Sequence, residues 1–234
     1  MTAEIQELPA IHMTVQTADL NIIGFSCEET ITLSCGLMNI GRGICSVIIK
    51  PSISLVPKHS GSLDIEISRP YMRANIDLTN IRQLGNEEVA DLLIKSSDLL
   101  PTKIMEDIVP NLIDELPLFF LIASLIEGES EFFGLSELKH KESDRLSIMI
   151  NNLKELDVEV HFNEDSLKIV GKNDRIFPDG VFDSHGDHRI AMTMLVAGLR
   201  SPKGVIVNNI DCINTSFPEF VDQAKTLGFN LNYG

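Results

Sequence analysis

The chain has 234 residues, 44% of them hydrophobic and 23% charged, with 34 acidic against 19 basic side chains and a formal net charge of −15. That is enough chain for a sizeable core and too apolar for disorder. A surface this acidic repels phosphodiester backbones and anionic lipid, so nucleic acid and membrane are excluded as main partners. Any anionic ligand must then be met by cations gathered in one place.

In chain order, the opening MTAEIQELPA is mixed and acidic, unlike a signal or transit peptide. Thr30–Cys35 reads as a strand and Asn39–Ile49 as a helix, whereas Ser52–Arg69 has no clear period. Asp114–Ile126 (DELPLFFLIASLI) predicts a helix that is apolar almost all round, and therefore buried, with Glu127-Gly128 as its stop. Its apolar run, Leu116–Ile126, is too short to span a bilayer. A strand follows at Glu129–Phe133. Glu142–Leu156 predicts an amphipathic helix with Leu146, Ile150, Leu153 and Leu156 on one stripe. Val158–Phe162 and Ser166–Val170 read as strands, and Gly171–Gly180 as a polar loop. A second nearly all-apolar helix covers Asp187–Leu199. The strand Val205–Asn208, a helix over Ser216–Leu227 and a final strand Phe229–Asn232 complete the chain.

The order helix, strand, helix, strand thus occurs twice at nearly equal spacing, starting from Asp114 and from Asp187, which indicates an internal repeat. We read residues 1–234 as a single α/β (α+β) domain. Its repeats are a weak one over 1–80 and clearer ones over about 81–170 and 171–234. Ordinary α/β folds place amphipathic helices outside the sheet. Helices this apolar predict the reverse, an inside-out α/β barrel-like domain with helices inside and sheets outside. Cys27, Cys35, Cys45 and Cys212 show neither CxxC spacing nor a histidine at zinc-like spacing. Reduced thiols in a cytoplasmic protein are expected, with no metal.

Chemistry concentrates where the helices start. His140-Lys141-Glu142-Ser143-Asp144-Arg145 opens one helix, Asp187-His188-Arg189 another and Asp114-Glu115 a third. Unpaired N–H groups and the helix dipole make such ends receptive to anions. Lys141 and Arg145, four apart, can face one ligand. The same segment also reads as a solvated, well-capped helix start, with Glu142 or Ser143 as cap. Asp114 and Asp187, taken alone, fit helix caps more readily than acid–base groups. An arginine in a first turn opposes the dipole, and an apolar helix gives no other reason for Arg189. Arg145 and Arg189 therefore point to phosphate or carboxylate recognition. His188 fits a general base or a packed core histidine. Ser216, in Asn214-Thr215-Ser216, is a natural N-cap.

The segments LIDELPLF, LKHKESDRL, GDHRIAMTMLVAGL and INTSFPEF, in this order over about Glu88–Gly234, resemble the signature order of the 5-enolpyruvylshikimate-3-phosphate (EPSP) synthase family. EVADLLIKSS (Glu88–Ser97) is similar to the family segment just upstream, and LMNIGRG (Leu37–Gly43) is a worn counterpart of an Asn-Pro-Thr-Arg turn. The resemblance implies a cytoplasmic transferase of the shikimate pathway of aromatic amino-acid biosynthesis, working without cofactor or metal. Its substrates would be phosphoenolpyruvate and shikimate-3-phosphate. It implies a fold of two similar domains, each of three repeats with helices inside, and helix N-termini facing the cleft between them. By position, Asp114 would be the base at the substrate 5-hydroxyl and Glu142 would move the proton at the methylene carbon. Arg145 and Arg189 would bind phosphoenolpyruvate, and Lys141 would contact shikimate-3-phosphate.

The sequence also departs from the family. Thr215 stands where some members carry a lysine, and Lys139-His140 where Arg-Val is commoner. The Gly-Ser-Lys-Ser segment, the Asn-Ala-Gly-Thr loop and the Ser-rich segment of the opposite domain have no counterpart here. The chain is about half the usual length, corresponding to the C-terminal half, so weak or no activity by itself is expected. A complementary N-terminal half or self-association is the partner this implies. A non-catalytic anion-binding or interaction domain is the alternative, and a sibling transferase acting on a nucleotide sugar is a further one.

Overall fold

The computed structural model describes residues 2–4, 33–40, 43–49, 72–84, 87–95, 98–226 and 229–232. The strands are β1 (Thr2–Glu4), β2 (Leu33–Ile40), β3 (Gly43–Ile49), β4 (Asn75–Leu84), β5 (Glu87–Lys95), β6 (Lys103–Ile104), β7 (Gly128–Phe133), β8 (Glu159–Asn163), β9 (Ser166–Gly171), β10 (Gly180–Asp183), β11 (Val205–Asn208) and β12 (Asn230–Asn232). The α-helices are α1 (Val109–Leu112), α2 (Leu116–Ala123), α3 (Arg145–Glu155), α4 (His188–Ala197), α5 (Cys212–Ser216) and α6 (Phe220–Thr226).

Two four-stranded sheets frame the molecule. One has the order β6-β7-β9-β8, with β6 parallel to β7 and the remaining pairs antiparallel. The other has the order β10-β11-β1-β12. There β10 runs parallel to β11, and β1 lies antiparallel between β11 and β12. β2–β3 and β4–β5 are antiparallel pairs outside these sheets. Along β9 and β11 residues alternate between a buried and a more exposed face, so each sheet shows one side to the core and one to water.

The helices fill the space behind those faces. All eight residues of α2 are buried, and the helix packs on α3, α4 and β9; α4 packs on β11. The fold is α/β, with its most apolar helices innermost, as LPLFFLIA requires of a helix with no polar face. Gly171 fixes the contact between helix and sheet. A Cβ there would lie 2.0 Å from the Ile126 carbonyl oxygen and 2.1 Å from that of Ala123. Only glycine lets β9 come this close to the end of α2.

Four boundaries differ from the sequence reading. Asn39–Ile49 is not a helix but the facing parts of β2 and β3, with Asn39 opposite Ile44 and Ile40 opposite Gly43. Gly41 and Gly43 disfavour a helix, and the run Val47-Ile48-Ile49 is β-branched. The helix expected from Asp114 begins at Leu116, after a turn that follows the short α1. The helix expected from Glu142 begins at Arg145. Its cap is neither Glu142 nor Ser143 but Asp144, which accepts from Ser147 N–H at 3.0 Å. Ser216 is not an N-cap either. It ends α5, and α6 starts only at Phe220. Pro218 keeps Phe217 out of helical geometry (φ −149°, ψ 75°), because its ring crowds the preceding residue. The irregular stretch Ser52–Arg69 lies outside the described residues. Among those described, no helix is long and apolar enough to cross a membrane.

Candidate active site

Three helix starts meet, and the charged residues there are connected across long sequence distances. Arg145, the first residue of α3, is 1% exposed, and each of its guanidinium nitrogens is bound to a different carboxylate. Nε donates to Asp187 Oδ2 at 2.7 Å, Nη1 to Asp114 Oδ1 at 2.8 Å, and Nη2 to Glu142. Lys141 Nζ stands 3.7 Å from the same Asp114 oxygen. Burying a guanidinium is tolerable only when it is paired and hydrogen-bonded in this way. Burial pulls the Arg145 pKa down, but the bonds and charges of Asp187, Asp114 and Glu142 outweigh it and hold it above its ordinary value.

Asp187 is completely buried and serves two masters. Its Oδ1 caps α4, accepting from Arg189 N–H at 2.8 Å and Ile190 N–H at 3.4 Å. Its Oδ2 takes Arg145 Nε and the Ser143 hydroxyl, the latter at 3.1 Å. Its place before an apolar helix predicts a cap for Asp187. It is the cap, and also the buried counter-ion of Arg145.

Asp114 is not a cap. It lies in the turn between α1 and α2 and points its carboxylate at Arg145 and Lys141. Its side chain is 43% exposed. Partial burial raises its pKa, but the hydrogen bond from Arg145 and the charges of Arg189, Arg145 and Lys141 prevail and hold it below the usual carboxylate range. It is therefore ionised at neutral pH. Glu142, at the other end of the guanidinium, is 52% exposed.

Arg189 is placed differently. It reaches back to Glu115, beside Asp114 in sequence, and donates from Nη1 to a carboxylate that is 3% exposed. Sequence reasoning found no reason for an arginine in this apolar helix other than an anion; Glu115 is a second reason. His188 is half-buried, and burial together with the nearby Arg189 pushes its pKa below the ordinary histidine value, so it is neutral at pH 7. Asn214, Thr215 and Ser216 are exposed, with Thr215 Oγ1 bonded to the Cys212 carbonyl at 2.7 Å.

The structure thus brings Asp114, Lys141, Glu142 and Arg145 into one network and sets Arg189 within electrostatic reach of Asp114. Glu115 and the second role of Asp187 were not legible in the sequence. Their partners lie 74 and 42 residues away, and no local pattern signals a contact of that range.

The α/β fold thus has buried helices whose starts converge on two accessible carboxylates and three cations. The family model for EPSP synthase (3-phosphoshikimate 1-carboxyvinyltransferase) matches residues 67–224, and the chain belongs to this family. It is 41% identical over 186 residues to the 3-phosphoshikimate 1-carboxyvinyltransferase of Magnetococcus marinus, covering 80% of this chain and 41% of the relative. For the enzyme of Alkaliphilus metalliredigens the values are 35% over 182 residues, 78% and 42%. The EPSP synthase structure from Acinetobacter baumannii superposes with a TM-score of 0.70 at 36% identity, over 76% of this chain and 40% of that one. The enolpyruvyl transferase NikO from Streptomyces tendae, at 16% identity and a TM-score of 0.56, shares the fold. The chain spans about two fifths of the length of these curated relatives.

Proposed function

We propose that this chain supplies one wall, the C-terminal half, of a cytoplasmic 3-phosphoshikimate 1-carboxyvinyltransferase active site, and that it works with a complementary N-terminal half. We read residues 1–234 as one domain of three repeats within that site. The observation that carries the reading is the Arg145 guanidinium, with Asp114 and Glu142 on its two outward nitrogens.

The transfer is an addition followed by an elimination. The substrate 5-hydroxyl oxygen bonds to the central carbon of phosphoenolpyruvate while the methylene carbon gains a proton. A methyl proton and inorganic phosphate then leave, restoring the double bond. Two separate proton-handling groups are required. Asp114, held ionised by Arg145, Arg189 and Lys141, takes the hydroxyl proton. Glu142 delivers and recovers the proton at carbon. Lys141 contacts shikimate-3-phosphate, and Arg145 and Arg189 hold phosphoenolpyruvate. Each nitrogen of Arg145 is already bonded to a carboxylate, so an incoming carboxylate or phosphate competes for the Nη1 and Nη2 N–H groups with Asp114 and Glu142, the two partners exposed enough to yield. That exchange frees each carboxylate for proton transfer when substrate arrives.

Electrostatics explains why a partner is needed. Among the described residues, Lys141, Arg145 and Arg189 face four carboxylates, Asp114, Glu115, Glu142 and Asp187, so this cluster is formally anionic. Two multiply charged anions cannot be held there without cations from an opposite wall.

The test is phosphate release from phosphoenolpyruvate and shikimate-3-phosphate, with and without an added N-terminal EPSP synthase half. Turnover only with the added half, reduced at least about 100-fold by Asp114→Asn or Glu142→Gln, is the expected result. Binding of shikimate-3-phosphate without turnover in either case would replace this reading with that of a non-catalytic anion-binding domain.

A further inference from the structure

The two arginines of the cluster are held in different ways. Arg145 has a carboxylate on every guanidinium nitrogen and meets a ligand only in competition with them. Arg189, whose side chain is 19% exposed, bonds through Nη1 to Glu115, and its Nε and Nη2 have no hydrogen-bond partner among the described residues. Among the described residues, one nitrogen is clamped and its two neighbours carry no partner. That is the condition under which a planar guanidinium presents a ready fork to a carboxylate or phosphate.

The clamp itself is rigid. Glu115 is almost fully buried, in the turn that leads into α2, and its backbone carbonyl accepts the N–H groups of Leu118 at 3.0 Å and Phe119 at 3.1 Å. Asp187, immediately before α4, fixes the backbone of Arg189 at the other end. Both ends of the Arg189 side chain are thereby anchored, to two buried helices that pack on each other. A long side chain that would otherwise sample many rotamers is ordered before any ligand arrives.

We propose that Glu115 is a positioning residue that pre-aims Arg189 at the anionic substrate and touches no substrate itself. This deepens the proposed function and rests on it for the identity of the anion, phosphoenolpyruvate. Replacing Glu115 with glutamine keeps the shape and removes the charge that grips the guanidinium. The open fork is then disordered, and the loss falls on binding of that one substrate.

Two measurements test this. In the chain alone, nitrogen-15 relaxation of the arginine Nε–H groups reads side-chain order, with the Arg189 signal assigned by its disappearance in Arg189→Lys. The wild-type signal is expected to be as rigid as the backbone, and the Glu115→Gln signal to be motionally averaged, while a wild-type far-UV circular dichroism spectrum and a cooperative melt above the assay temperature show the fold intact. In the chain completed by an N-terminal half, Glu115→Gln is expected to raise KM for phosphoenolpyruvate about 10-fold or more. KM for shikimate-3-phosphate should stay within about twofold, and the change should vanish in an Arg189→Ala background. An Arg189 signal that stays rigid in Glu115→Gln overturns the proposal whether or not the completed enzyme turns over. So does a loss shared equally by both substrates. Absence of turnover in the wild-type pair, with the Arg189 signal responding as described, would reject the catalytic reading and leave the positioning role in place.

Discussion

Arg145 offers a graded experiment, because one buried cation has partners in very different surroundings. Asp187 is fully buried and Glu142 is half-exposed. Asp187→Asn keeps the cap oxygen of α4 but turns an amide towards Arg145 Nε and the Ser143 hydroxyl, donor against donor. Breaking a buried pair from one side costs about 3–5 kcal/mol, because the remaining charge stays desolvated. Asp187→Ala also removes the cap, adding about 1 kcal/mol. Set against a total stability of about 5–15 kcal/mol, either loss is large. At about 2–4 °C per kcal/mol for a domain of this size, Tm should fall by about 6–20 °C for Asp187→Asn and about 8–24 °C for Asp187→Ala. Glu142→Gln breaks a bond to the same guanidinium on its watery side and should cost about 1 kcal/mol or less. Urea unfolding followed by far-UV circular dichroism measures all three. Equal losses for Asp187→Asn and Glu142→Gln would refute the argument that burial, not the number of ion pairs, sets the energetics of this cluster.

Further outcomes follow from the same structure. Gly171→Ala should cost more than about 2 kcal/mol, because its methyl meets two backbone carbonyl oxygens that cannot turn aside; thermal unfolding checks this. Phe120→Ala should cost about 3–5 kcal/mol, since the ring is fully buried and packs edge-on to Phe132 at 4.9 Å between centroids. Stability should also fall with acid in two stages. His188 has a lowered pKa, so the unfolded chain binds a proton first, and stability drops as pH falls below about 6.5. His188→Gln should flatten that stage in a pH series of urea midpoints. Asp114, also lowered, contributes stability that is present above about pH 4 and is lost on further acidification. Asp114→Asn should weaken the second stage and leave the first.

What was legible in the sequence was local. The apolar run of α2 and the alternation in β9 and β11 each report burial within a few residues, and those elements stand close to where the pattern put them. The motif order around Asp114, Lys141-Glu142, Arg145 and Arg189 marked the charged helix starts and the family. Errors arose where a single residue outweighed the pattern, as Pro218 did in splitting the last helix and the glycines did in the β2–β3 pair. The tertiary structure alone decided which charges neutralise which. Asp187 looked like a cap, Glu115 like a helix opener and Arg189 like an arginine with nothing but a ligand to explain it. Folding sets the first against Arg145 and joins the other two. Ion pairs act through space at a few ångströms and carry no period along the chain. The contrast between an arginine bonded through all three nitrogens and one held through a single nitrogen among the described residues therefore exists only once the three helix starts have been brought together.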